Sequence, residues 1–171
     1  EMSGKKAQAF TFLEKHVQAH SNDIPSAMLL AERQIGKDRA AAIKTYEQVL
    51  TKTPDNFVVL NNLAYLALED KNLTRAEELA KKAVSQQREN ADAVDTLAQI
   101  YVAKGDKAAA LKLYEEVSAR PIANDDVYLN HVSVLLELDK KALASRKLAS
   151  REFKSEAAKQ RAESLKQQYG I

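Results

Sequence analysis

Three histidines and two pairs of adjacent glutamates carry the strongest acid–base and metal-binding chemistry in this chain. His16 and His20 stand four apart, which puts both imidazoles on one face of a helix. A zinc hydrolase built on that spacing needs Glu directly after the first His as general base, and Val17 stands there instead. No third ligand accompanies the pair. His131 falls on an apolar packing position and is expected as a partly buried core residue. Glu77-Glu78 and Glu115-Glu116 are sequence neighbours on predicted helices, where adjacent side chains diverge and do not converge on one substrate atom. The chain has no Cys, hence no thiol nucleophile, thiolate metal site or disulfide. No Gly-rich phosphate loop and no Gly-x-Ser-x-Gly elbow occurs. The expectation is a protein with no catalytic residues, no metal site and no cofactor, and therefore not an enzyme.

The elements that hold these residues follow from a repeat. Ala42, Ala76 and Ala110 stand 34 residues apart, as do Leu29, Leu63 and Leu97, and Asp38, Asn72 and Asp106. A period of this length marks a helical repeat array. Apolar residues step by three and four, as in Leu60, Leu63, Ala64, Ala67 and Leu68, which is one face of a 3.6-residue helix. The turns predict first helices over 24–35, 57–69, 91–104 and 125–138, and second helices over 39–52, 73–87, 107–119 and 141–152. Asn and Asp at the helix starts suit N-caps, because their side chains accept bonds from otherwise unpaired N–H groups. Gly36 and Gly105 are expected to supply the left-handed residue that closes a first helix. The predicted fold is all-α: a right-handed helical-repeat solenoid of about ten antiparallel helices. Its units are 1–22, the second helix of a truncated preceding repeat; 23–56, 57–90 and 91–124, three repeats; 125–154, a divergent fourth; and 155–171, a capping helix that shields the open end.

Length and composition agree with this. The 171 residues are 45% hydrophobic and 29% charged, with 4 Gly and 3 Pro and no Trp, so the core must be built from Ala, Leu, Val and Ile. The net charge of +2 points to neither nucleic acid nor membrane. Charge is uneven, however: residues 140–171 hold nine Lys and Arg against three Glu. That basic tail is the basis of the alternative function, a helical-repeat module that binds RNA. No apolar run reaches the ~18–20 residues of a membrane span.

The third repeat shows a family pattern. Leu97-Ala98, Tyr101, Gly105-Asp106, Ala110, Tyr114 and Pro121 resemble the tetratricopeptide repeat signature of Leu-Gly, Tyr, Ala, aromatic and Pro. The first two repeats match through Leu29, Ala42, Tyr46 and Pro54, and through Leu63-Ala64 and Ala76. The fourth keeps Ala144 and sets His131 where Leu is expected. Val59 to Leu66, Glu78 to Ala83 and Asp95 to Ala98 are similar to the last repeats of exported bacterial tetratricopeptide lipoproteins of the exosortase (PEP-CTERM) type. That similarity implies a periplasmic or cell-envelope location, with the cytoplasm as alternative, and a scaffolding role.

In such arrays the first helices line a concave groove that holds a protein or peptide. Transferred to this chain, the groove would use Met28, Asn61, Asn62, Tyr65, Leu68, Asp92, Asp95, Gln99, Asp126 and Asn130. Ala31, Leu129 and Leu136 fall on the same side by helical spacing. Apolar anchoring would come from Met28, Tyr65 and Leu68. The Asn side chains offer both a donor and an acceptor to an extended backbone, and the Asp residues would favour a basic segment. The Lys and Arg of carboxylate-clamping relatives are missing from the matching positions. Phe10, Phe12 and Leu13, on a helix without its partner, predict self-association through the N-terminal end.

Overall fold

The computed structural model describes the backbone of residues 2–171, with side chains at residue 5 and from residue 7 onward. Ten helices and no strand occur among the described residues: α1 (Met2–Ala19), α2 (Ile24–Ile35), α3 (Arg39–Lys52), α4 (Phe57–Glu69), α5 (Leu73–Gln86), α6 (Ala91–Ala103), α7 (Lys107–Val117), α8 (Asp125–Glu137), α9 (Lys141–Ala149) and α10 (Glu156–Tyr169). Each helix packs on the next in sequence, and α6 also touches α4 on one side and α8 on the other, as a solenoid requires.

Local chemistry explains the starts. Asp23, Asp38, Asn56, Asn72, Asn90, Asp106, Asn124 and Ser155 each accept a backbone N–H of the first turn, closing groups the helix leaves unpaired. The stops differ from expectation at one place. Lys71, Gly105 and Asp139, spaced by 34, all take positive φ (59°, 84° and 57°). At these turns Asn72, Asp106 and Lys140 donate their N–H five residues back, to Ala67, Tyr101 and Leu135, the bond that marks a Schellman closure. Gly36 instead stays right-handed at φ −83°, and its turn closes through Gln34. The glycine was therefore no signal of backbone shape in the first repeat, while Lys71 and Asp139 adopt that shape without one.

The core is built at the repeat positions. Ala42, Ala76, Ala110 and Ala144 are fully buried, and their small side chains let paired helices approach closely. Val59, Leu60, Leu63 and Leu66 of α4 pack with Ala76, Leu79, Ala80 and Ala83 of α5; Val127, Val132 and Leu135 of α8 form a second cluster with α7, α9 and α10. Leu129 and Leu136, placed on the groove side by spacing, are core residues, as is Ala31.

The two ends differ. On α1, Phe12 is 73% exposed, while Lys37 sets its ammonium 4.0 Å from the Phe10 ring. At the other end α10 packs mainly on α8. Ser155 caps α10 as Asn124 caps α8, so Arg161 is the sixth residue of its helix as Asn130 is of α8. The last helix thus continues the row of first helices with a shift of three residues in the repeat. The intervening turn is tied by Arg151, which donates to Asp125 and to the carbonyls of Ile122 and Ala123.

Candidate functional site

A groove of about 700 Å³ opens between α4, α6, α8 and α10. Leu68, Leu73, Val102 and Val134 supply apolar lining; Gln99, Asn130 and Ser133 supply neutral polar groups, and Glu69, Lys71, Glu137 and Arg161 supply charges of both signs. Leu68, Gln99 and Asn130 are the expected groove residues that line it.

Asp95 is not itself in the lining but bonds three residues that are, Gln99, Tyr114 and Asn130. It is only 7% exposed, although spacing had set it facing the groove. Its carboxylate accepts the Tyr114 hydroxyl at 2.6 Å, Gln99 Nε2 at 2.6 Å and Asn130 Nδ2 at 2.9 Å. Burial raises its pKa, against the three donors that pull it down. The Tyr114 phenol is also raised, by burial and by the carboxylate beside it. Asn130, its amide held this way round, accepts Arg161 through Oδ1 at 2.6 Å. Arg161 also approaches the exposed Asp126 at 3.5 Å. The residues of this rear joint come from α6, α7, α8 and α10, up to 66 positions apart in the chain.

His131 completes the joint from below. Its ring stacks on Tyr114 at 5.1 Å and 8°, Nδ1 meets Ser118 Oγ at 3.1 Å, and Nε2 is buried without a partner. Burial, with a smaller contribution from Lys147, lowers its pKa to about 4. It is a neutral packing residue.

The front joint is simpler. Asn62 Nδ2 donates to the Tyr46 hydroxyl at 2.9 Å, and Thr45 donates to buried Gln34 at 2.8 Å. Tyr46 and Tyr114 are repeat equivalents, as are Asn62 and Asn130; between them Ala80 stands where a tyrosine would be. Asn61, equivalent to Asp95, consequently has no hydroxyl to meet, and its buried Oδ1 is unpaired.

The other expected residues are scattered. Met28 is half-buried with Asn56 Nδ2 3.7 Å from its sulfur. Tyr65 is 45% exposed on α4. Asp92 and Asp126 are exposed in the first turns of α6 and α8, and Asp92 accepts Asn124 Nδ2 at 2.8 Å. None of these four lines the groove. Arg161 was missed as a groove residue because it lies outside the 34-residue register; its cap, Ser155, was the available signal.

Among the described residues no three His, Cys, Asp or Glu side chains gather as a metal site, and no helix is long and apolar enough to cross a membrane. The His16 and His20 rings stack at 4.5 Å, and His16 bonds Asp23 at 2.8 Å, lowering that carboxyl to about 2. Much of the basic tail is engaged internally: Arg151 on Asp125, Lys159 on Glu156, Lys166 on Glu163.

Two family profiles, each described as tetratricopeptide repeat, match residues 67–126 and 45–78. The chain is a tetratricopeptide repeat protein. No curated protein matches it. Among solved structures, the tetratricopeptide array is similar in fold to a crystal structure of MamA protein, at 16% identity and TM-score 0.67, covering 99% of this chain and 89% of that one. It is similar to MamA 41-end from Desulfovibrio magneticus RS-1, at 14% identity and TM-score 0.72, covering 86% and 84%. It is also similar to YrrB, described as a TPR protein with an unusual peptide-binding site, at 14% identity and TM-score 0.65, covering 80% and 71%.

Proposed function

We propose that this tetratricopeptide protein is a non-catalytic scaffold that holds an extended segment of a partner protein in the groove between α4, α6, α8 and α10. The observation that carries this is the groove itself: about 700 Å³ lined by both apolar and polar side chains, the mixture that seats a side chain and orients a backbone. The peptide-binding site of the similarly folded YrrB supports the same use of the scaffold. Peptides selected by phage display on the full chain should lose binding to Leu68→Arg and Ser133→Trp, and keep it with Phe12→Ser at the far end. Unchanged binding by both groove variants would overturn the proposal.

An envelope setting is supported by the similarity of the α4, α5 and α6 runs to exported lipoprotein arrays. Fractionation of source cells with an antibody to this chain should place it with the periplasm or envelope; a purely cytosolic signal would exclude that setting. Phe12 supports self-association through α1, because a large apolar side chain exposed to 73% gains by finding a mate.

A further inference from the structure

We infer that Asp95 is a positioning and specificity-determining residue for the groove: by locking Gln99, Tyr114 and Asn130 in one arrangement it holds the Arg161 guanidinium on the end wall, which then selects a segment bearing a carboxylate side chain next to an apolar residue. This rests on the groove being the binding face.

The fold alone does not require a charge at this position. The repeat equivalents of Asp95 are Ala27, Asn61 and Leu129, and Leu129 is completely buried in the next repeat. Burying a carboxylate is costly, and apolar residues of similar volume commonly serve stability as well or better. What the carboxylate adds is direction. Neutral amides can turn over; an anion that accepts from Asn130 Nδ2 at 2.9 and 3.0 Å admits one orientation of that amide. Oδ1 then points at Arg161, 2.6 Å away. The same carboxylate takes Gln99 Nε2, which leaves Gln99 Oε1 as an acceptor for a backbone N–H. The front joint shows the contrast, since Asn62 there donates to Tyr46 and, among the described residues, bonds no cation.

Arg161 retains donors for a ligand. Its bond to Asn130 uses one nitrogen, and its other contact, to Asp126, is long at 3.5 Å and open to water, with the Asp126 side chain 79% exposed. A partner carboxylate can displace so exposed an ion pair. Leu68, Leu73 and Val102 form the wall for the adjacent apolar side chain. The Asp residues expected to favour a basic segment do not line the groove: Asp95 is buried, and Asp92 and Asp126 lie outside it; of the two glutamates that do line it, Glu137 is paired with Lys107 at 2.9 Å, and Glu69 stands two residues from Lys71, which also lines it.

The test uses the full chain and two fluorescein-labelled nonapeptides that differ only in Glu or Gln beside a central Leu. Wild type should prefer the Glu peptide about tenfold, and both Asp95→Asn and Arg161→Gln should reduce that preference, read as the ratio of the two affinities, to about one. Side-chain NMR without peptide reads the lock separately: Arg161 and Asn130 should show one ordered state in wild type and averaged signals in Asp95→Asn. If Asp95→Asn fails to fold, Asp95→Leu, which copies Leu129, takes its place. An unchanged Glu preference with Asp95 replaced, or Arg161 ordered equally in its absence, overturns the inference. If neither peptide binds wild type, the selection claim and the groove function fall together, while the NMR result alone decides the lock.

Discussion

The front and rear joints of the array solve one packing problem with different chemistry. In both, a buried tyrosine of a second helix is linked to an asparagine sixteen residues later on the next first helix, directly or through one intervening group. At the front the pair is complete in itself, Asn62 donating to Tyr46. At the rear a buried carboxylate stands between the partners, Tyr114 and Asn130 both donate to it, and the chain of bonds runs on to Arg161 at the groove wall. The front joint is thus a closed contact between neighbours. The rear joint couples four helices and ends at a surface, so damage there should spread further and respond to pH.

The largest expected effect is that pH response. The folded value of His131 is about 4 against an ordinary 6.5, so the unfolded chain takes up its proton first as pH falls. The His131 contribution is present above pH 6.5 and should decline by about 3 kcal/mol between 6.5 and 4. His131→Leu, which copies Leu63 and Leu97, should remove that decline in urea titrations at stepped pH. An identical slope in the variant would separate the histidine from the joint's acid sensitivity. Asp95 acts in the opposite sense. Its folded value is raised, so its contribution is lost as pH rises through that value and recovered on acidification.

Removing single hydroxyls compares the joints directly. Tyr114→Phe takes a donor from a buried anion and should cost about 2 kcal/mol, whereas Tyr46→Phe breaks a neutral bond and should cost about 1 kcal/mol. Equal losses in denaturant unfolding would mean that the carboxylate does not distinguish the joints. Between them, Asn61 has an unpaired buried oxygen. Asn61→Leu should stabilise the chain by about 1 kcal/mol, because it removes a desolvated acceptor and adds apolar surface. A drop in melting temperature would show that Asn61 has a partner. The smallest effect lies beyond the front joint: Phe12→Ser should lower concentration-dependent light scattering and leave both joints and their unfolding unchanged. Scattering that is the same with and without Phe12 would count against association through α1.

The helices were legible because their causes are local. Caps such as Asn56 and Asp106 act within three residues, and the apolar step of three and four declares itself inside one helix. The turn after α2 was misjudged from Gly36 because a glycine permits the left-handed shape without requiring it, while Lys71 and Asp139 are driven into it by the closing bond. The groove was legible in part. Leu68, Gln99 and Asn130 line it, but Leu129 and Leu136 show the limit of helical spacing, which names a side of a helix and not whether a neighbouring helix covers it.

The residues themselves, through the 34-residue period, determined a tetratricopeptide array and set where its helices begin and end, since both depend on bonds made nearby in the chain. Only the tertiary structure decided which polar groups are free. Asp95 is buried because Tyr114 and Asn130, 19 and 35 residues away, converge on it, and Arg161 reaches the groove because α10 packs against α8 outside the repeat's register. Burial and hydrogen bonding are properties of the surroundings a side chain meets, and those exist only once distant helices have packed.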